Sequence, residues 1–458
     1  MSRDALLDLA HAHARAFLDT LPSRPVRAGM PDPPIDAMLG DAGVEPAAVL
    51  EALAATVDAG GLATAGPRYF GFVTGGSYPV AVAADWLVSA WDQNAALHVM
   101  SPAMASIEDA AAGCVLDLLG LPSSASVGFV TGATMANVTC LAAARHEVLR
   151  RAGWDVEADG FQRAPSLRVI AGGSAHASID SAARLLGFGT ANLIRVGADG
   201  QGRMIPDALE AAMRQERGPA IVCLQAGHVN TGAFDPFEPL VDVAHRHGAW
   251  VHVDGAFGLW ARAAPELRAL AGGIERADSW GVDAHKWLNV PYDSGIAIVA
   301  HPAAHRASMA QHASYLLRAA GERRDGMDWT PEASRRARAV PIYAVLKSLG
   351  RAGVADLVTR TCARARQMAD RLRSHAGITI LNDVVLNQVL VRVRSRSGEN
   401  VTAAVIARVQ QEGVCWVGGT TWQGQLAMRI SISNWSTTPT DIDVSAEAIV
   451  RAVDAAAR

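Results

Sequence analysis

The chain has 458 residues, more than one simple core holds, so two or three domains or subdomains are expected. Half of its residues are apolar and 19% are charged, the balance of a well-packed globular protein rather than a disordered one. A formal charge of −4 leaves no basic surface for nucleic acid or an anionic membrane, and no apolar run is long enough to span a bilayer.

Residues 1–76 open with "MSRDALLDLAHAHARAF", an amphipathic helical pattern carrying acids and histidines rather than a signal peptide. His11 and His13 fall on different faces of such a helix, so a solvated surface is expected there and not a metal site. A Pro-rich connector, "LPSRPVRAGMPDPPIDAM", follows, and the region reads as an arm that packs on another surface. From 77 to 340, short apolar runs alternate with helical stretches. "SVGFVTG" (126–132), "LRVIAGG" (167–173), "AIVCLQAG" (220–227), "AWVHVDGAFG" (249–258) and "SGIAIVA" (294–300) read as strands buried on both faces. Continuous apolar strands between helices mean a mainly parallel sheet, hence an α/β core. From 341 to 458, a long helical pattern gives way to "GITILNDVVLNQVLVRV" and "QLAMRISIS", mixed with two further helices, a smaller α+β domain. Five scattered cysteines without a C-x-x-C pair predict reduced thiols and a cytoplasmic protein. The basic run "SRRAR" (334–338) is expected to meet local carboxylates or an anion.

Ligands of open parallel sheets bind beyond the carboxyl ends of the strands, and four features fall at such ends. "TGATMAN" (131–137) is a turn of small residues ahead of a helix, open to an anion at the helix N-terminus but without the lysine of a Walker loop. Asp254 ends an apolar strand, where a carboxylate is costly without a cationic partner. His176 in "GGSAHASID" stands at another strand end. Lys286, between His285 and Trp287, sits in apolar surroundings that favour a neutral amine. Each has a plain structural use alone: a tight turn, a cap, a helix start, a surface charge. Together they suit one ligand with a phosphate, a ring nitrogen kept protonated, a planar face and an aldehyde, which is pyridoxal 5′-phosphate.

These motifs resemble the group II pyridoxal-phosphate-dependent amino acid decarboxylases, which include aromatic-L-amino-acid decarboxylase. "ADSWGVDAHKWLNVPYDSG" is similar to their Asp-Ser … His-Lys-Trp signature, "WVHVDGAFG" to their His-Val-Asp-Ala-Ala segment, and "LQAGHVNTGAFDP" to their Ala-Gly-Thr-Thr … Gly-Ala-Phe-Asp segment. The resemblance implies the aspartate-aminotransferase-like fold type I, a homodimer with shared active sites, and decarboxylation of an L-amino acid to an amine and CO2. It makes Lys286 the Schiff-base residue, places Asp254 against the pyridine nitrogen, His176 on one ring face and Ala256 under the other. It gives the phosphate Ala133 and Thr134, with His285 on the lysine side. It also lines the substrate pocket with Phe72 and Thr74 and turns Arg429 to the α-carboxylate.

Two departures stand out. Family members carry a tyrosine after an aspartate in a mobile lid, to protonate the substrate's Cα. Here the lid-like stretch "RAAGERRDGMDWTPEASRRAR" has Trp329 after Asp328, and an indole is no acid. Either another group, Tyr315, His176 or Lys286, delivers that proton, or the intermediate reacts with oxygen and yields an aldehyde. Another reaction on the same scaffold, such as transamination, stays open. The second departure is His228, where a small polar residue is usual. It is read either as a contact to the cofactor or as a space-filling side chain. Aromatic candidates at Tyr69, Phe72 and Trp91, and no obvious cationic cluster for an acidic side chain, point to an aromatic or apolar substrate.

Overall fold

The computed structural model describes residues 2–27, 35, 39–215, 217–311 and 323–456. Its larger sheet holds β1 (Ser126–Val130), β2 (Arg168–Gly172), β3 (Leu193–Val196), β4 (Ala220–Gln225), β5 (Trp250–Asp254), β6 (Ser279–Asp283) and β7 (Gly295–Val299). The spatial order is β1-β7-β6-β5-β4-β2-β3. Only β7 runs against its neighbours, β1 and β6, so the sheet is parallel apart from that strand. Two strands lie outside the sequence expectation. β3 is a four-residue edge with two exposed or half-exposed side chains, and β6 carries a glycine in the middle of "SWGVD". Neither has the run of β-branched residues that marks a buried strand.

Side chains alternate between two apolar clusters, one on each face of this sheet. Val222 and Leu224 of β4 join one cluster with the helices Pro102–Leu119 and Phe237–Arg246. Ile221 and Cys223 of the same strand join the other, with the helices Ala133–Arg151 and Ala177–Leu185. Helices on both faces are why the central residues of these strands are largely apolar on both sides.

The helix Ala339–Arg373, bent at Gly350 where φ reaches 61°, leads to a second sheet. That sheet is antiparallel, β10-β11-β9-β8, built from β8 (Ile378–Ile380), β9 (Gln388–Val393), β10 (Gly418–Trp422) and β11 (Gln425–Ser431). Its core includes Val389, Val391, Met428 and Ile430, closed by the helices Thr402–Glu412 and Pro439–Ala456. The N-terminal helices Arg3–Thr20 and Pro46–Gly60 bury none of their residues fully. His13 pairs there with Glu51 at 3.0 Å, a surface contact.

Each arginine of 334–338 has a carboxylate: Arg335 meets Glu108, Arg336 Asp85 and Arg338 Asp293, all at 2.8 Å. The five cysteines are free thiols, four of them buried. No helix among the described residues is long and apolar enough to cross a membrane.

Candidate active site

β5 and β6 are neighbours, and both end on an aspartate, "WVHVD" and "SWGVD". The two carboxylates therefore reach the same edge of the sheet. There they meet the turns after β1 and β2, the loop after β4 and the lysine three residues beyond β6.

Asp254 is 5% exposed. It accepts hydrogen bonds from Ser178 Oγ (3.1 Å), Asn137 Nδ2 (3.2 Å) and the Ala256 amide (3.1 Å). All of these donors are neutral, and no cationic side chain among the described residues forms an ion pair with it. Behind it, His252 Nε2 lies 3.0 Å from Asn137 Oδ1 and its Nδ1 lies 3.0 Å from Ser279 Oγ. Burial pushes the His252 imidazole down to about 4, so it is neutral at pH 7 and fixes the amide without adding charge.

His176 precedes the helix Ala177–Leu185 and caps it, its Nδ1 accepting from the Ser178 amide at 3.1 Å. Burial lowers its pKa, partly opposed by the Asp254 charge. Lys286 is not stranded among apolar side chains as its sequence neighbours suggested: the Asp283 carboxylate lies 2.7 Å from Nζ. Asp283 is buried, accepts from the Ala133 amide at 2.5 Å and lies 3.6 Å from His285 Nε2. Burial lowers the His285 pKa as well, and the Tyr292 ring covers His285 at 4.3 Å.

One cleft with two chambers results. Thr131, Ala133, Thr134, Asp283 and His285 line the inner chamber, at the start of the helix Ala133–Arg151. Phe72, Val229, Phe257, Asp254 and Arg429 line the outer one. His176, Ala256 and Lys286 belong to both. Of the residues singled out from sequence, Lys286, Asp254, His176, Ala133, Thr134, Ala256, His285, Phe72 and Arg429 thus come together.

Three do not. Thr74 is buried and its neighbour Val73 forms the wall instead, because Phe72 and Val73 take left-handed backbone, φ 54° and 59°. His228 lines neither chamber. Gly227 and Val229 face the cleft, while the imidazole between them turns back against Gly202 and edge-on to Trp422 (5.2 Å). Burial pushes it down to about 4. Trp329 also lines neither chamber. It sits in the short helical turn Gly326–Trp329, its carbonyl accepting from His305 Nε2 (3.0 Å) and its ring 5.3 Å from the His305 ring, against Gly128 of β1. Tyr315 lies outside the described residues.

Sequence reasoning missed Asp283, Asn137 and Ser178. Asp283 carried the signal that found Asp254, an aspartate closing an apolar run. The other two are ordinary helix residues whose role appears only when the strands are laid side by side.

Comparison with known proteins gives the family and the fold. Residues 38–394 match the pyridoxal-dependent decarboxylase conserved domain, and the chain belongs to that family. It is a pyridoxal-phosphate-dependent carboxy-lyase acting on an amino acid. It is 29% identical over 378 residues to L-2,4-diaminobutyrate decarboxylase of Rhizobium meliloti (strain 1021), covering 79% of this chain and 73% of the relative. It is 29% identical over 401 residues to tryptophan decarboxylase 1 of Oryza sativa subsp. japonica, covering 81% and 77%. The fold superposes on a crystal structure of Oryza sativa TDC with PLP and tryptamine at TM-score 0.91, with 24% identity over 100% of this chain and 99% of that one. The fold is the aspartate-aminotransferase-like type I.

The side chains present fit the cofactor. A buried carboxylate bonded only to neutral donors suits a protonated ring nitrogen. An amine stands at the junction of the chambers, and amides at a helix N-terminus suit a phosphate.

Proposed function

We propose that this protein decarboxylates an aromatic or other apolar L-amino acid to the amine and CO2, with Lys286 carrying the cofactor. The single observation that carries the reading is Arg429, a mostly buried guanidinium in the outer chamber with no ion-pair partner among the described residues, a few side chains from Lys286. Burial lowers its pKa from the usual range, which raises the value of an incoming carboxylate.

When bound, pyridoxal phosphate supplies an aldehyde that condenses with an amine and a ring that takes up the electrons of a breaking bond. The chain's own residues do the rest. Asp254 keeps a ring nitrogen protonated. His176 and Ala256 hold the two faces of a flat ligand, and Ala133, Thr134 and His285 receive its phosphate. Arg429 would take the α-carboxylate and so fix the orientation of the substrate's Cα. Lys286, shared by both chambers, would return a proton to Cα after CO2 leaves.

The substrate class rests on the outer wall. Phe72, Val73, Val229 and Phe257 are apolar, and Lys286 and Arg429 are its cationic residues apart from His176. With both engaged, no further cation among the described residues of this chamber waits for an acidic side chain. A second reading, decarboxylation coupled to oxidation to an aldehyde, is favoured by Trp329, which stands where family members carry the lid tyrosine and cannot donate a proton. The homodimer belongs to the same proposal: Leu7, Leu53 and Val57 on the unburied N-terminal helices, with Trp86 and Trp91, leave apolar surface for a second copy. So do the division into 1–76, 77–340 and 341–458 and a cytoplasmic location, the latter supported by the free thiols.

The test is incubation with pooled amino acids under air and under nitrogen, scoring CO2, amine, aldehyde and peroxide. Amine in equal amounts under both gases supports the first reading. Aldehyde and peroxide only under air support the second, and turnover of acidic amino acids alone overturns the substrate class. Lys286→Ala should lose turnover on the order of a thousandfold or more, together with the borohydride-reducible visible absorption.

A further inference from the structure

The inner chamber holds an anion of its own where the phosphate of the cofactor is expected. Asp283 is 1% exposed, and its Oδ1 takes the Ala133 amide at 2.5 Å, the first amide of the helix Ala133–Arg151. Its Oδ2 lies 2.7 Å from Lys286 Nζ, and His285, whose pKa burial lowers, stands 3.6 Å from Oδ1 without a counter-charge to add. A phosphate arriving at the same amides meets the negative charge of a buried carboxylate. The ammonium that offsets this charge is the very group the aldehyde must reach. Like charges a few ångströms apart in such a setting cost affinity that exposed ones do not.

We infer that Asp283 is a positioning residue for cofactor loading: it holds Lys286 and the helix amide in the cofactor-free chain and opposes the phosphate until it releases them. It thereby lowers affinity for phosphorylated pyridoxal relative to pyridoxal itself. The inference rests on the reading that Lys286 and residues 131–134 hold the cofactor.

The test compares equilibrium binding of pyridoxal 5′-phosphate and of pyridoxal to the cofactor-stripped full chain, wild type and Asp283→Asn, by absorbance and tryptophan fluorescence. Asp283→Asn keeps the shape and removes the charge. Freeing Lys286 affects both aldehydes alike, so the expected signature is the ratio: binding of the phosphorylated ligand should gain at least about tenfold over that of pyridoxal, a ratio that a purely structural role would not move. Asp283→Ser gives the same test should the amide variant not fold. Equal weakening of both ligands, or no change in their ratio, overturns the inference. If the wild type forms no borohydride-reducible adduct at Lys286, the reading beneath it falls and the inference with it. If the adduct forms and the ratio is unchanged, only the role of Asp283 falls.

Discussion

Asp254 is a buried charge and Arg429 a half-buried one, both facing the cleft with no ion-pair partner among the described residues, and this is costly unless a ligand completes them. For Arg429 the missing partner is a carboxylate. Arg429→Ala should therefore remove a charge-assisted hydrogen bond worth about 1.5–3 kcal/mol, lowering kcat/KM by about 10- to 150-fold, and Arg429→Lys should recover only part of it. Steady-state kinetics on the best substrate checks this. An unchanged kcat/KM in the alanine variant would move the carboxylate contact elsewhere. Asp254 differs in that its three neutral donors hold it in place whether or not a cation is bound, so the site is built before the cofactor enters.

At the scale of elements, the cleft depends on how closely the segment 71–76 lies on the lysine loop. A Cβ at Gly75 would come within 1.9 Å of the Lys286 carbonyl oxygen, and the Gly76 amide donates to Asn289 Oδ1 at 2.8 Å. Backbone cannot give way as a flexible side chain can. Gly75→Ala should therefore cost at least about 1–3 kcal/mol of stability and lower cofactor occupancy as Lys286 is displaced. Thermal unfolding and the visible absorption per subunit measure the two effects, and a fully loaded, equally stable variant would contradict the contact. The same close approach explains Phe72 and Val73. Left-handed backbone at a β-branched residue costs about 1–3 kcal/mol, and it persists where the surrounding structure leaves no alternative. A second anchor lies at the other end of the sheet, where Glu108, buried, bridges Arg324 (3.1 Å) and Arg335 (2.8 Å) and ties residues 324–335 to the helix Pro102–Leu119.

For the whole molecule, acid is the condition to which the interior is most sensitive. His228 and His252 are pushed down to about 4 and His305 to about 3, each chiefly by burial. Their folded values lie below the unfolded 6.5, so below that pH the unfolded chain takes up protons that the folded chain refuses. Stability from these three groups is full above about pH 6.5 and is lost as pH falls towards 4. Asp235 acts the other way: burial raises it to about 6, so the folded chain binds its proton first and offsets one histidine down to about pH 4. For these four groups the net difference is about two protons, a loss of about 2.7 kcal/mol per pH unit at its steepest, to which the lowered His176 and His285 add in the same direction. Denaturant unfolding at pH 7, 6 and 5 should show this slope, and His305→Gln should reduce it by about one proton. A midpoint independent of pH over that range would contradict the neutral buried imidazoles.

The chemistry of this protein was legible in its sequence because reactive residues close apolar strands. "WVHVD" and "TGATMAN" announce their place at a strand end by composition, and Lys286 sits in a segment whose motif is distinctive. The α/β alternation was legible for the same reason: strands covered on both faces are mostly apolar, and five of the seven lie in such runs. β3 and β6 escaped because one is a short, partly exposed edge and the other has a single β-branched residue, Val282, among Ser, Trp, Gly and Asp. What only the tertiary structure decided are facts of direction and pairing. Whether His228, Thr74 and Trp329 face the cleft depends on single backbone angles and on which surface each loop lies against. That Asp283 meets both Lys286 and the Ala133 amide depends on strands β1 and β6, some 150 positions apart in the chain, being brought to one edge by the order of the sheet. Local sequence records which side chains a segment offers, whereas long-range strand order, set by the burial of both sheet faces at once, selects the ones that meet.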